Sequence, residues 1–494
     1  MSELNKSLVF VGVALVLMGA ALWRTPSRTA TEAIFNDQGQ PFFPNFKDPL
    51  ACTSLEVIDY DATTAMATPF KVMFKDGKWV IPSHHNYPAD AKDRLAKTAA
   101  GVIDLKKDTI RSDRAEDQEE LGVVDPLDSK TTSLRGRGKR VTLRNKSDEI
   151  LADFIIGKEV PGHSEQRFVR VPGQKRTYGV NVKVDLSTRF SDWIETNLLK
   201  LDAFHVRKIV FDNHKVIPEE GRVEEGEVLT VERKESSSPW TLADLPPDQE
   251  VNPDKLSSVT SALADLKISG VRPKPAGLTR DLKAGEDTGV KLSTASILSL
   301  QSKGFYLTRD GRLVSNQGDL ITSTDEGIVY TMRFGEVVFA SGEALTAGVD
   351  DEKAADKSAK DESKAKSEGQ ESRYLFVTVQ FDPALVPEPP PPKVEETGEM
   401  PDDPFQREPD DPDLLAKAKK AKDDADRIKT EHERKIKEGQ DKAKELTDRF
   451  AAWYYLVPGD SFRNLMLDRT ALTRKKQDKP ATPQPPTFPS APTP

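Results

Sequence analysis

The chain has 494 residues, of which 36% are hydrophobic and 31% charged, and a formal net charge of -9. That length exceeds the roughly 100–200 residues of one domain, and charge above the usual ~25% means that part of the chain stays solvated. The acidic balance gives no broad electrostatic footprint for nucleic acid, and the single cysteine, Cys52, excludes an intramolecular disulfide and a cysteine-built metal site.

After a short segment 1–7, the run Leu8 to Trp23 carries no charge and is flanked by Lys6, Arg24 and Arg28. It reads as a transmembrane signal-anchor over 8–23. The run is a little shorter than the ~20 residues that span a bilayer, but Trp23 and snorkelling basic residues extend its reach. The competing reading is a cleaved signal peptide, although no A-x-A site follows the run. Either way the rest is exported, which predicts the cell inner membrane, a single pass and a largely extracytoplasmic chain; the flanking charges do not fix the orientation. Residues 24–45, rich in Thr, Pro, Gln and Asn, read as a tether. Leu50-Ala51-Cys52 resembles the end of a lipoprotein attachment motif but lies far beyond the apolar run, so Cys52 is expected to be an ordinary buried thiol.

A first α/β module is expected over 46–203. Leu55 to Tyr60 and Phe70 to Phe74 alternate like strands, and Asp76-Gly77 is a two-residue hairpin turn into Lys78-Trp79-Val80-Ile81. From Pro88-Ala89-Asp90 the period becomes helical, with Leu95, Ala99, Val102 and Ile103 on one face. An antiparallel meander follows at 140–144, 150–156, 168–171 and 177–180. Phe190, Trp193, Ile194, Leu198 and Leu199 space like a short closing helix.

The same order returns over 204–470, which reads as an internal repeat. Thr230-Val231-Glu232 stands where Val72-Met73-Phe74 stood, Trp240-Thr241-Leu242 where Trp79-Val80-Ile81 stood, and the helix from Leu256 to Leu266 parallels that from Leu95 to Leu105. Arg333-Phe334-Gly335-Glu336 compares with Ile155-Ile156-Gly157-Lys158, Arg373-Tyr374-Leu375 with Arg167-Phe168-Val169, and Tyr455-Leu456-Val457 with Tyr178-Gly179-Val180. On this alignment the second module carries two insertions. One, 341–371, has a Lys/Asp/Glu/Ser composition that reads as disordered. The other, 382–450, holds a proline-rich segment and then a long helix from about Pro412 to Phe450, whose apolar seam is thin and mostly alanine. That helix is expected to stand mostly exposed, projecting from a hairpin. The tail 471–494 reads as disordered. The predicted fold class is therefore α+β: a tandem repeat of two mixed α/β modules (hairpin, helix, meander, short helix) behind one transmembrane helix.

The search for chemistry returns no catalytic, cofactor or metal residues. There is no phosphate loop, nucleophile elbow, H-E-x-x-H helix or glycine fingerprint. The histidines are His84, His85, His163, His205, His214 and His432; only the first two adjoin, and adjacent histidines need further ligands to hold a metal. Asp402-Asp403 and Asp410-Asp411 sit among prolines that cannot fix two carboxylates for acid/base work. The cluster Arg135-Gly136-Arg137-Gly138-Lys139-Arg140 could meet phosphate or anionic lipid, but its glycine spacing favours a turn. Trp79 and Trp240 are expected to anchor cores.

Asp76-Gly77-Lys78-Trp79, Pro88-Ala89-Asp90, the helix ending at Leu105, Leu121-Gly122 through Asp125-Pro126, and Ile156-Gly157 before Arg167-Phe168-Val169 together resemble the family catalogued as Domain of Unknown Function 4340. The first copy, roughly 50–200, carries the better match; the second lacks the Asp-Gly turn and a clear Leu-Gly equivalent. The resemblance implies one N-terminal membrane helix and association with ABC-type transporters related to gliding-motility systems, with no catalytic residues to carry over. The leading functional expectation is a non-catalytic membrane-anchored accessory or scaffold protein of the bacterial envelope whose partners are transporter components. The alternatives are an extracytoplasmic small-ligand receptor or enzyme with a pocket between the modules, and an assembly protein that self-associates through the long helix. The oligomeric state is not legible.

Overall fold

The computed structural model describes residues 37–63, 65–130, 133–218, 220, 222–285, 290–348, 369–389 and 412–476. The expected membrane segment 8–23, most of the tether, the charged part of the 341–371 insertion, the proline-rich part of 382–450 and most of the tail lie outside them. Among the described residues no helix is long and apolar enough to cross a membrane. The fold is α+β with antiparallel sheets, in two compact units, Met1–Ile194 and Glu195–Pro494.

The first unit runs β1 (Ser54–Asp61), β2 (Met66–Lys75), β3 (Lys78–Ile81), β4 (Tyr87–Pro88), α1 (Lys92–Ile103), β5 (Thr109–Ser112), α2 (Gln118–Leu121), β6 (Lys139–Arg144), β7 (Ile150–Val160), β8 (His163–Arg170) and β9 (Thr177–Asn181). Its nine strands lie in the order β4-β3-β2-β1-β6-β7-β8-β9-β5. The β2–β3 hairpin turns where Asp76 (φ 51) and Gly77 (φ 80) are both left-handed, the turn whose twist matches its flanking strands. In α1 the residues Leu95, Thr98, Ala99 and Val102 form one buried stripe, and Leu55, Val57, Val72, Leu143 and Phe154 are buried with them in the unit's core. The expected closing helix is only a 3-10 turn, Phe190–Trp193. Ile194 is already extended, and the Leu198 amide donates to the Leu266 carbonyl rather than four residues back along its own segment. The hydrophobic spacing was right about burial, since Phe190, Trp193, Ile194, Leu198 and Leu199 are all buried, but burial in a packed loop mimics a helical period.

The second unit runs β10 (Val206–Asp212), β11 (Lys215–Ile217), β12 (Arg222–Glu224), β13 (Val228–Glu232), β14 (Thr241–Leu242), β15 (Gln249–Val251), α3 (Pro253–Ala264), β16 (Gly270–Pro273), α4 (Thr294–Ser302), β17 (Phe305–Leu307), β18 (Leu313–Ser315), β19 (Asp319–Thr324), β20 (Ile328–Ala340), α5 (Gly342–Thr346), β21 (Gln370–Phe381), α6 (Pro412–Phe450), β22 (Trp453–Pro458), α7 (Gly459–Leu465), α8 (Arg469–Leu472) and β23 (Thr473–Lys475). Eight strands form the main sheet, in the order β14-β13-β10-β19-β20-β21-β22-β16. Asn252 caps α3 by accepting from the amides of Asp254 and Lys255, with Pro253 at the first helical position, and Leu256, Val259, Thr260 and Leu263 are its buried stripe. A separate apolar cluster gathers Leu278, Leu300, Phe305 and Leu313 around Tyr374, Phe376 and Tyr454.

Candidate functional site

The long helix α6 is exposed over much of its described length. α6 enters the chain between β21 and β22, which are paired neighbours with Leu375 across from Tyr455. Its last three turns are a root. Ala443, Leu446 and Phe450 are buried, Phe450 meets the Tyr455 ring edge-on at 5.9 Å, and a Cβ at Gly439 would stand 2.7 Å from the Phe381 ring, so the helix can approach there only without a side chain. Thr447 donates to the Val379 carbonyl at 3.2 Å. Polar ties surround the root: Lys442 with Glu326 at 2.7 Å, Arg280 with Asp448 at 3.0 Å, and the Arg449 guanidinium on the carbonyls of Glu195 and Asn197.

Towards its N-terminus the helix leaves that support. Ala425, Ile428, His432 and Ile436 continue the stripe, spaced like the buried residues but only half-buried, and the other side chains from Lys419 to Glu438 are mostly exposed. Arg434–Glu438 and Lys435–Glu431 pair along the helix itself; such exposed pairs contribute ~0.3–0.5 kcal/mol each. Helical propensity and these pairs, rather than burial, hold this half.

A second feature of the same unit is a buried polar cluster. Asp319 opens β19 with its carboxylate 3.3 Å from Arg333, and Ser315 donates to the Gly318 carbonyl at 2.6 Å and lies 3.2 Å from the Asp319 carboxylate. Burial pushes the Asp319 carboxyl above its ordinary value, against the pull of Arg333 and His214. His214 places Nδ1 3.1 Å from Asp212 and Nε2 3.1 Å from the Ser315 carbonyl. His214 also lines a cleft of about 340 Å³ with Asn213, Gln317, Phe462, Met466 and Asp468. Serine, histidine and aspartate thus meet without forming a proton relay, because the histidine contacts the serine's carbonyl and its hydroxyl is turned to Gly318.

The other residues singled out in the sequence are dispersed. His84 is buried and stacked on Phe190 at 4.1 Å; His205 lies 2.7 Å from Asp325, which Arg207 also pairs. Among the described residues no group of histidine, cysteine and carboxylate side chains could hold a metal ion. Cys52 is buried, and its burial raises the thiol pKa to about 11. The basic cluster is spent internally: Arg137 donates to the carbonyls of Ser133, Asp125, Pro126 and Asp128, Arg140 pairs with Asp125 and Asp153, and Lys139 with Asp59. Only Arg135-Gly136 bends as the glycine spacing suggests; Arg137 bridges to Val124 and β6 begins at Lys139. Trp79 and Trp240 are only half-buried, so neither anchors a core; Trp79 meets the exposed Phe74, and Trp240 lies under the Arg233 guanidinium. Among the described residues the buried tryptophan is Trp193, whose Nε1 donates to the Ser187 carbonyl at 2.9 Å. Asp402-Asp403 and Asp410-Asp411 lie outside the described residues. No sequence pattern marks the Asp319 cluster, whose members come from three separate stretches, or Lys274, whose ammonium donates to the Thr279 carbonyl and is brought down to about 8 by burial.

No curated protein and no solved structure matches the chain. Residues 79–281 match the family model described as "Domain of unknown function (DUF4340)", a stretch that starts in β3 and ends beyond β16. Over that stretch the chain is similar to the DUF4340 family.

Proposed function

We propose that the chain is a non-catalytic accessory or scaffold protein of the bacterial envelope, anchored by 8–23 and carrying two copies of one module, with α6 as its contact to a protein partner of the ABC-transporter class that the family resemblance implies. The observation that carries this reading is the division of α6 into a buried root and an exposed outer half whose apolar stripe continues past its support. A solvated excursion has no need of a firmly packed root.

Agreement of register supports the two-copy reading. Ile156 stands across from Val169 and Phe334 across from Leu375, each followed by an irregularity that takes in Gly157 or Gly335. Val169 in turn pairs with Tyr178 and Leu375 with Tyr455; Tyr178 pairs with Ile110 and Tyr455 with Val271. This correspondence adjusts the sequence alignment by one position, because Val231, the partner of Ile209, stands where Val72, the partner of Leu55, stands. It also supplies a counterpart for Leu121-Gly122: Gly304 (φ +83) follows α4 as Gly122 (φ +72) follows α2, and the Glu336 amide donates to the Lys303 carbonyl.

The test is an affinity pull-down from the native membrane of the full-length chain and of a variant lacking 390–436, which spares the root. Transporter subunits recovered with the first and lost from the second are the expected result; repeated recovery of no protein with either would sink the proposal. The small-ligand alternative draws on the His214 cleft, and a ligand that raises the melting temperature of the wild-type chain but not of a His214→Ala variant would favour it.

A further inference from the structure

We propose that residues 390–411 lie along the outer half of α6, covering the stripe Ala425, Ile428, His432 and Ile436, and that a protein partner must displace them to reach it. The displacement rests on the partner reading above; the contact between the segment and the helix does not.

The two ends of the segment fix its course. Gly439 of α6 lies against the end of β21, where a Cβ would stand 2.7 Å from the Phe381 ring. Beyond Phe381 the Asp382 amide donates to the Gly327 carbonyl at 2.8 Å, and Pro387 lines a cleft of about 320 Å³ with Lys435, Glu438 and Lys442. The chain therefore leaves the described residues, at Pro389, beside the root of α6. It returns at Pro412, the first residue of the same helix. At ~1.5 Å per residue, Pro412 stands ~40 Å from Gly439 along the axis. Between these points lie the 22 residues 390–411, six of them proline. A flexible coil of that length has ends ~25 Å apart on average, so the segment is drawn out, as its prolines favour. It spans the outer half of α6 from one end to the other.

The chemistry of the segment fits that helix. Residues 390–411 hold eight acidic and two basic side chains, whereas α6 from Lys419 to Lys437 holds eight basic and five acidic ones. Asp424 pairs with Arg427, Glu431 with Lys435 and Glu438 with Arg434. Exposed Lys419, Lys420, Lys422, Lys429 and Lys437 have no carboxylate partner among the described residues, and the segment brings carboxylates to them. Val394, Met400 and Phe405 supply apolar groups for Ala425, Ile428, His432 and Ile436, which continue the stripe of the root without its cover. A second copy of α6 is a poorer occupant, because two stretches with an excess of basic side chains repel each other. Attachment at both ends holds the segment at a local concentration on the order of millimolar, so a contact of low affinity is enough.

The full-length chain is compared with one whose residues 390–411 are replaced by an equal number of glycines and serines, so that α6 can still be reached. Amide hydrogen exchange between Lys419 and Glu438, read by mass spectrometry, should be several-fold faster in the replaced chain while β21 is unchanged. Raising the salt to about 0.5 M should bring wild type part of the way there. Equal exchange in the two chains would overturn the contact. Wild-type protection that falls on dilution would assign the stripe to a second copy, overturning it equally. Val394→Ser, Met400→Ser and Phe405→Ser together, which keep every charge and proline of the segment, should also speed the exchange; no change would overturn the covering of the stripe. In a pull-down from the native membrane the replaced chain should recover several-fold more transporter subunits than wild type. Equal recovery would overturn the displacement and leave the contact standing. Recovery of nothing with either chain would remove the partner reading and the displacement together, with the exchange still deciding the contact.

Discussion

Asp319 is a carboxyl group held where its charge is unwelcome, and the sign of the resulting pH dependence can be stated. Its folded-state pKa is raised, chiefly by burial, so the folded chain binds that proton more tightly than the unfolded one. The corresponding stability is full below the ordinary carboxyl value of ~3.9 and is lost as pH rises through the folded value. Urea unfolding of wild type and Asp319→Asn at matched pH should therefore show the wild-type advantage shrinking from about pH 3.5 to pH 7; a difference that stays flat would mean that the carboxyl is not perturbed. Gly157 poses a steric question instead. A Cβ there would lie 2.5 Å from the Leu121 carbonyl oxygen, 2.6 Å from a Val123 methyl and 2.8 Å from the Gly122 carbonyl oxygen, so backbone on one side has nowhere to go. Gly157→Ala should cost ~1–3 kcal/mol in urea unfolding, and a change below ~0.5 kcal/mol would mean that the strand irregularity yields.

At the scale of elements, β2 was legible from its alternation, with Phe70 and Val72 buried between the less buried Lys71 and Met73, whereas β1, β6, β8 and β9 bury consecutive residues and were marked by β-branched and aromatic content between turn residues. Asp76-Gly77 marked the β2–β3 hairpin because only left-handed residues turn it. β5 escaped notice because its four residues, Thr109–Ser112, are half-exposed along most of their length and gain strand structure from pairing with β9. Trp79 and Trp240 were misread since position beside a turn does not tell whether an aromatic points into the core or rests at its margin. α6 was legible to its ends because its period runs unbroken, yet the pattern alone could not divide root from outer half. That division predicts two different outcomes. Thr430 is exposed and its hydroxyl bonds only the Asp426 carbonyl, so Thr430→Pro, at ~3 kcal/mol or more to the local helix, should abolish amide protection around it while β21 keeps its own. Leu446→Ala, at 2% exposure in the wild type, should cost ~2–5 kcal/mol and expose β21 amides as well. Hydrogen exchange read by mass spectrometry distinguishes them, and equal responses would mean that the root is not the support.

At the scale of the whole molecule, the boundaries of the family match and of the folding units do not coincide. The match covers 79–281 and so begins after β2 and ends before β17. In the first sheet it omits β1 and β2, which lie between β3 and β6 in the strand order; in the second it holds β10, β13, β14 and β16 but omits β19 to β22, which lie between β10 and β16. A chain cut to 79–281 would thus carry strands whose hydrogen-bond partners are absent, along with α1 and α3, whose buried stripes would lose core residues such as Leu55, Val57 and Tyr455. Unpaired edges and exposed apolar faces of that extent are not stable alone. The excised segment 79–281 should show no cooperative urea transition by circular dichroism, whereas the segment 37–476 should unfold cooperatively. A sigmoidal transition in the shorter segment would mean that the family stretch is a folding unit in itself, with a strand arrangement different from the one it adopts in the full chain.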